Sequence, residues 1–178
     1  DFVVLYSGNM GASHDIDSML NAALLLKDRL DIQFLFIGDG EKRSDIEQFI
    51  DKHKSENISL FPFQPESMIK YTLPLADISL VSLDMGMEDL MVPSKTFYYL
   101  AAGSAIMAIA NENSELSDLL DNNECGIRVN PGKPEHLATA ILDLMSDSQK
   151  LLSMKANART LAEDCYSRKI CTNKFADY

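Results

Sequence analysis

Short apolar runs alternate with amphipathic stretches along most of the chain. Residues 2–6, 32–37, 58–63, 78–83, 106–110 and 126–129 each have the length and apolar character of a buried strand. Between them, apolar residues recur at the three- and four-residue spacing of a helix. Ile16, Met19, Leu20, Ala23 and Leu24 follow Asp15, which is suited to cap them. The same spacing predicts helices over 44–54, 66–75, 94–102, 114–120 and 135–144. Beyond residue 147 the strand-like runs stop. Leu151, Met154, Ala158 and Leu161 continue at helical spacing, and a final polar helix is predicted over 167–178.

Strand and helix in regular alternation predict a parallel sheet covered on both faces. The expectation is one α/β domain over 1–178: a doubly wound, six-stranded, Rossmann-like sheet in the order 3-2-1-4-5-6, with extra C-terminal helices. Such sheets bind ligands beyond the carboxyl ends of their strands, near the point where the strand order reverses. The loops after strands 1, 4 and 5 are therefore the ones to inspect.

The loop after strand 1 is SGNMGASHD, Ser7 to Asp15. Gly8 and Gly11 allow a tight turn and close approach of a ligand to the backbone, and the next helix points its N-terminus at the same space. This is a phosphate cradle by geometry, although a strand-to-helix turn needs glycines in any case. His14 offers a further donor, or is simply solvated. GDGEKR after strand 2 is a structural turn. FPFQP after strand 3 presents two aromatics and rigid backbone to a nucleobase edge, or forms an ordinary hydrophobic loop. The longest loop, DMGMEDLMVP, leads into Pro93, Ser94 and Lys95. Proline suits a helix start and Ser94 can cap it. Lys95 in the first turn opposes the helix dipole, so a nearby negative charge is called for. Either Glu88 or Asp89, or a ligand phosphate, supplies it. Ala101, Ala102 and Gly103 end this helix with small residues that permit tight packing against strand 5.

Composition changes little: 46% hydrophobic and 24% charged residues are ordinary for a globular chain. The net charge of −11 argues against nucleic acid as a partner, without excluding a local basic pocket. Cys125, Cys165 and Cys171 are odd in number and lack a CxxC pair, which predicts reduced thiols in a cytosolic protein and no zinc site. No run approaches a membrane span, and no signal peptide is recognisable. The first residues, Asp1 to Leu5, already lie in an apolar run without a methionine, as expected of a piece of something longer.

Taken in order, the glycine-rich first loop, GDGEKR, ADISLVSL, VPSKTFYYLAAGSAIMAI and ECGIRVNPGKPEHLATAILDLM resemble the C-terminal domain of family 4 retaining glycosyltransferases. These are GT-B enzymes, with two Rossmann-like domains about a cleft, and the Pro-Ser-Lys group is common among bacterial surface-polysaccharide enzymes. The resemblance implies a domain that binds a nucleoside diphosphate sugar as donor substrate, without metal or other cofactor. Gly8, Asn9, Met10 and Gly11 would lie by the diphosphate, with His14 nearby and Ser94 and Lys95 at the helix entrance beside it. Phe63 would meet the base, and Gly86 to Asp89 the donor sugar; Lys95 and Glu88 are the implied catalytic residues. The acceptor would be a glycan or a lipid-linked sugar, held by a separate N-terminal domain. The implied location is the cytoplasm, with peripheral contact at the inner face of a membrane made through that other domain.

The chain departs from the family pattern where it has Asn9 and His14 in place of an arginine and a lysine. It also has Leu90 and Tyr98 where many members carry two glutamates, the second of them a ribose contact. Lys95 is then the clearest cation, with Glu88 a substitute carboxylate. Two other readings compete. A nucleotide-sugar epimerase of the same architecture needs acid and base side chains in the cleft, and only His14, His53 and His136 are available. A flavodoxin-like receiver domain needs carboxylates at the ends of strands 1 and 3, where this chain has none.

Overall fold

The computed structural model describes residues 1–82, 92–167 and 169–172. Six strands form one parallel sheet: β1 (Phe2–Asn9), β2 (Ile32–Asp39), β3 (Ile58–Phe61), β4 (Ile78–Ser82), β5 (Ala105–Ile109) and β6 (Gly126–Val129). Their order is β3-β2-β1-β4-β5-β6, the doubly wound order expected from the alternation. The connecting helices are α1 (Ile16–Leu25), α2 (Arg43–His53), α3 (Glu66–Thr72), α4 (Ser94–Ala102), α5 (Glu115–Asn123) and α6 (Pro134–Ser146). A 3-10 turn, Leu73–Leu75, extends α3, and α7 (Ser148–Leu161) runs on into a π-helical turn, Ala162–Tyr166.

Alternation along each strand divides the core between the two faces of the sheet. Val4, Tyr6, Phe34, Phe36, Ile78 and Met107 pack with α1 and α6 through Met19, Leu20, Leu137 and Ile141. Leu5, Ile37, Val81, Ile106 and Ala108 pack on the other face with Tyr99, Leu100, Leu116, Leu120 and Ala158. Each of the Val, Leu, Ile, Phe and Met side chains among them contributes roughly 1.5–3 kcal/mol on burial, so the sheet is a rigid base for the loops at its carboxyl edge. No helix among the described residues is long and apolar enough to cross a membrane.

Several boundaries differ from the pattern-based ones. β1 and β2 run on through Asn9 and Asp39, so Ser7, Gly8 and Asn9 are strand residues and the first loop begins at Met10. The cause is the register, which sets Gly8 against Gly38. A Cβ on Gly38 would stand 2.0 Å from the Gly8 carbonyl oxygen, so Gly38 lets two strands approach rather than turn. β3 ends at Phe61, short of its apolar run; Leu83, the last residue of the fourth run, lies outside the described residues. Ser94 is the first residue of α4 and not its cap; Pro93 occupies the cap position in extended geometry, and its carbonyl accepts from the Thr96 N–H at 2.9 Å. Gly103 closes α4 in the left-handed conformation at φ 69°, as its position suggested. The small residues that end α4 adjoin α7 as well as the sheet. The ideal Cβ of Gly103 would lie 3.7 Å from Arg159 Cβ, and Arg159 Nη1 donates to the Ala101 carbonyl.

Candidate functional site at the carboxyl edge of the sheet

β1 and β4 are paired only through Val4 with Ile78 and Leu5 with Ser79. Beyond that point the strands part, and the crevice of the order reversal opens. Ser7 is the next β1 residue whose backbone faces β4, and it finds no strand partner there. The phenol of Tyr99, from α4, takes that place. Its Oη accepts from the Ser7 N–H at 2.8 Å and donates to the Ser7 carbonyl at 2.9 Å. Tyr99 is only 1% exposed, and burial holds its phenol well above the usual tyrosine range.

One turn earlier on α4, Lys95 reaches across the end of β1 to Tyr6, whose side chain packs on the opposite face of the sheet. Its Nζ donates to Tyr6 Oη at 3.0 Å and lies 4.2 Å from the centre of the Tyr6 ring. It passes close to Gly8, where a Cβ would stand 3.4 Å from the ammonium. Gly8 also holds φ at 137°, a conformation side chains rarely adopt.

Two further ties close the other side of the crevice. His14 Nδ1 is 3.2 Å from the Ser82 carbonyl, which only accepts, so Nδ1 carries the proton. The Asp15 N–H donates to Ser82 Oγ at 2.9 Å. The Asp15 carboxylate caps α1 through the Ser18 N–H at 3.0 Å, as the sequence suggested, and also accepts from the Gly132 N–H of the loop after β6 at 2.8 Å.

Ser7, Gly8, Asn9, Ile37, Phe63, Gln64, Ser94, Lys95, Tyr98 and Tyr99 line one cavity of about 330 Å³, floored by Ile69, Thr72 and Leu73. The sequence-derived residues Gly8, Asn9, Phe63, Ser94 and Lys95 therefore converge. Phe63 and Tyr98 both stand exposed along its rim. Tyr98 also borders an adjoining groove of about 430 Å³ that runs over Leu73, Pro74 and Ala102 to Arg159. At one end of the cavity are Lys95 and the N-terminus of α4, the positive end of its helix dipole. The other end is apolar. That arrangement suits a ligand with an anionic part and a flat, less polar part.

The remaining candidates stand differently. Met10 is fully buried; its N–H donates to the Asp39 carbonyl at 2.8 Å and its carbonyl accepts from Lys42 at 2.9 Å, so it holds the loop from behind. Gly11 faces Asn9 and His14, its ideal Cβ 3.2 Å and 3.3 Å from their side chains, and neither Gly11 nor His14 borders the cavity. His53 stacks on Phe49 with ring centres 4.4 Å apart, and His136 is exposed on α6. Gly86, Glu88, Asp89 and Leu90 lie outside the described residues. Among the described residues no group of three or more His, Cys, Asp or Glu is placed to hold a metal ion.

Three contributors were not picked out in the sequence. Tyr6 and Tyr99 had a signal, because a tyrosine in an apolar buried run needs a partner for its hydroxyl. Arg43 had none. Its Nη1 donates to the carbonyls of Gly38 at 2.8 Å and Phe61 at 3.3 Å, tying the edge of β2 to the segment that carries Phe63.

The family described as glycosyl transferases group 1 matches residues 1–147. The probable glycosyltransferase WbjE of Pseudomonas aeruginosa is 29% identical over 174 residues, covering 98% of this chain and 43% of that protein. The putative colanic acid biosynthesis glycosyl transferase WcaI of Escherichia coli K12 is 28% identical over 176 residues, covering 97% of this chain and 42% of that protein. The chain thus spans less than half the length of these curated relatives. In structure, Anabaena Alr3699/HepE, solved in complex with UDP, superposes with a TM-score of 0.82 at 15% identity, over 99% of this chain and 48% of that one. That likeness concerns the fold, a Rossmann-like domain of the kind that forms the C-terminal half of GT-B enzymes. The family match extends over most of the sequence, and the chain belongs to the group 1 glycosyl transferases.

Proposed function

We propose that this domain binds a nucleoside diphosphate sugar, with uridine diphosphate as the carrier, for transfer of the sugar to a glycan or lipid-linked acceptor. The observation that carries the reading is the convergence of Lys95 and Ser94 with Gly8, Asn9 and Phe63 on one cavity at the strand-order reversal. The diphosphate would lie against the α4 entrance and Lys95, and the base against Phe63. A complex of the HepE fold with UDP supports the choice of carrier.

The chemistry asked of these residues is electrostatic. As the bond from the anomeric carbon to the diphosphate breaks, negative charge grows on the leaving oxygens. An ammonium and oriented amide hydrogens that are already in place stabilise that charge without having to reorganise. This reading takes no metal. It assigns the acceptor to a further domain beyond this chain, in keeping with the partial coverage of the relatives, and leaves membrane contact to that part.

Titration calorimetry with UDP, GDP and TDP tests the proposal. UDP should bind, and Lys95→Ala should weaken it by about 10-fold or more, the size expected for a charge-assisted contact. Absence of binding by all three nucleotides, with Lys95→Ala making no difference, would end it.

A further inference from the structure

We infer that Tyr6 is a positioning residue that aims the Lys95 ammonium at the diphosphate; this rests on the donor-site reading above. Tyr6 is 1% exposed and packed against Phe36, with ring centres 6.0 Å apart, so its ring has a fixed place. Its phenol has one proton, and that proton goes to the Asn9 carbonyl at 2.7 Å, an oxygen that only accepts. Toward Lys95 the phenol therefore presents a lone pair, which receives an ammonium hydrogen at 3.0 Å. The ring face contributes a second attraction at 4.2 Å.

Two consequences follow. A lysine side chain has many rotamers, and an anion that recruits it from solvent must freeze them on binding. Tyr6 freezes them beforehand, so less affinity is lost to ordering. The same phenol links Lys95 to Asn9, a residue on the cavity wall. The position of the cation is thereby registered to the strand end that lines the site, and Tyr6 brings no charge of its own.

Calorimetry on the full chain with UDP and with inorganic pyrophosphate tests this, using wild type, Tyr6→Phe, Lys95→Met and the double variant. Tyr6→Phe should weaken both ligands by about 3- to 10-fold, the range of one ordinary hydrogen bond, since it acts only by ordering the lysine. In the Lys95→Met background the same change should cost nothing further, because its effect acts through the lysine. An equal loss in both backgrounds makes Tyr6 a general support of the loop and overturns the inference, as does an unchanged affinity in Tyr6→Phe. Wild type binding neither UDP nor pyrophosphate removes the donor-site reading instead, and this inference with it. NMR of the wild-type lysines gives a check that depends on no destabilised variant. The side-chain signal lost in Lys95→Met should be displaced by the Tyr6 ring current, and a signal at the random-coil position counts against the inference.

Discussion

The Tyr99 phenol stands in for a strand: its oxygen accepts from the Ser7 N–H at 2.8 Å and donates to the Ser7 carbonyl at 2.9 Å. β1 loses β4 as a partner after Leu5, where the crevice opens. One side chain from α4 satisfies the backbone groups exposed by that parting. It also fixes α4, and with it Ser94 and Lys95, against the strand end.

Tyr99→Phe should therefore destabilise the fold by about 1–3 kcal/mol, since it leaves two enclosed backbone groups without partners. Its effect on pH dependence has a definite sign. The folded phenol resists ionisation because it is buried, so its pKa is raised above the unfolded value. Its contribution to stability is complete below a pH of about 10 and falls above it, as the unfolded chain releases a proton that the native state keeps, by up to about 1.4 kcal/mol per pH unit. Urea unfolding from pH 8 to 11 should show that decline in wild type and a shallower one in Tyr99→Phe. Equal slopes would mean that Tyr99 does not hold its proton as described.

Gly38 is the least replaceable glycine among the described residues. An added Cβ would stand 2.0 Å from the Gly8 carbonyl oxygen, and the backbone holds φ at 146°. Gly38→Ala should cost well above 3 kcal/mol, because strand backbone has to shift. Gly132, at φ 67°, has nothing within 4 Å of an added Cβ, so Gly132→Ala should cost only about 1 kcal/mol in strained backbone. Thermal melts of the two variants compare them directly; equal shifts would remove the close-approach argument.

The contrast between the two glycines marks what the sequence could and could not reveal. Strand order and helix placement followed from periodicity, because burial on both faces of a parallel sheet imposes long apolar runs and a 3.6-residue stripe. Convergence of Gly8 and Lys95 on one cavity followed from topology, since both lie at the carboxyl edge beside the order reversal; Phe63, after strand 3, lay outside the loops that topology singled out and was offered by its aromatic loop and by the family resemblance. What stayed hidden depends on register. That Gly8 and Gly38 face each other, or that Lys95 reaches Tyr6 on the far side of the sheet, is settled by which residues pair across strands. Met10 illustrates the same limit. The family resemblance implied a place beside the diphosphate, whereas its buried side chain and paired backbone make it part of the core.

On the proposed reading, Arg43 should matter to the Phe63 end of the cavity, where the base would lie, and not to the Lys95 end. It joins the Gly38 and Phe61 carbonyls and pairs with Glu47 at 3.1 Å, steadying the segment that presents Phe63. Arg43→Ala should reduce UDP affinity by about 3- to 10-fold while leaving inorganic pyrophosphate binding unchanged, the scale of one or two hydrogen bonds. Lysine should not restore it, because a single ammonium cannot pair with Glu47, as Nε does, and serve both carbonyls, as Nη1 does, at the same time. Equal losses for the two ligands would show that Arg43 acts on the whole edge of the sheet.

The three thiols should separate by reactivity. Cys125 is fully buried just before β6, and burial pushes its thiol up to about 11. At pH 8 that leaves about one thiolate in a thousand, in a place no reagent reaches without opening of the fold. Cys165 and Cys171 are partly exposed at the end of α7 and just beyond it. An aromatic disulfide reagent at pH 8 should therefore modify two thiols quickly in native protein. The third should follow at the rate of unfolding, and all three should react at once in urea. Because the slow phase reports opening around β5 and β6, Tyr99→Phe should accelerate it in proportion to the stability lost. A native protein in which all three thiols react together would contradict the closed packing of that face.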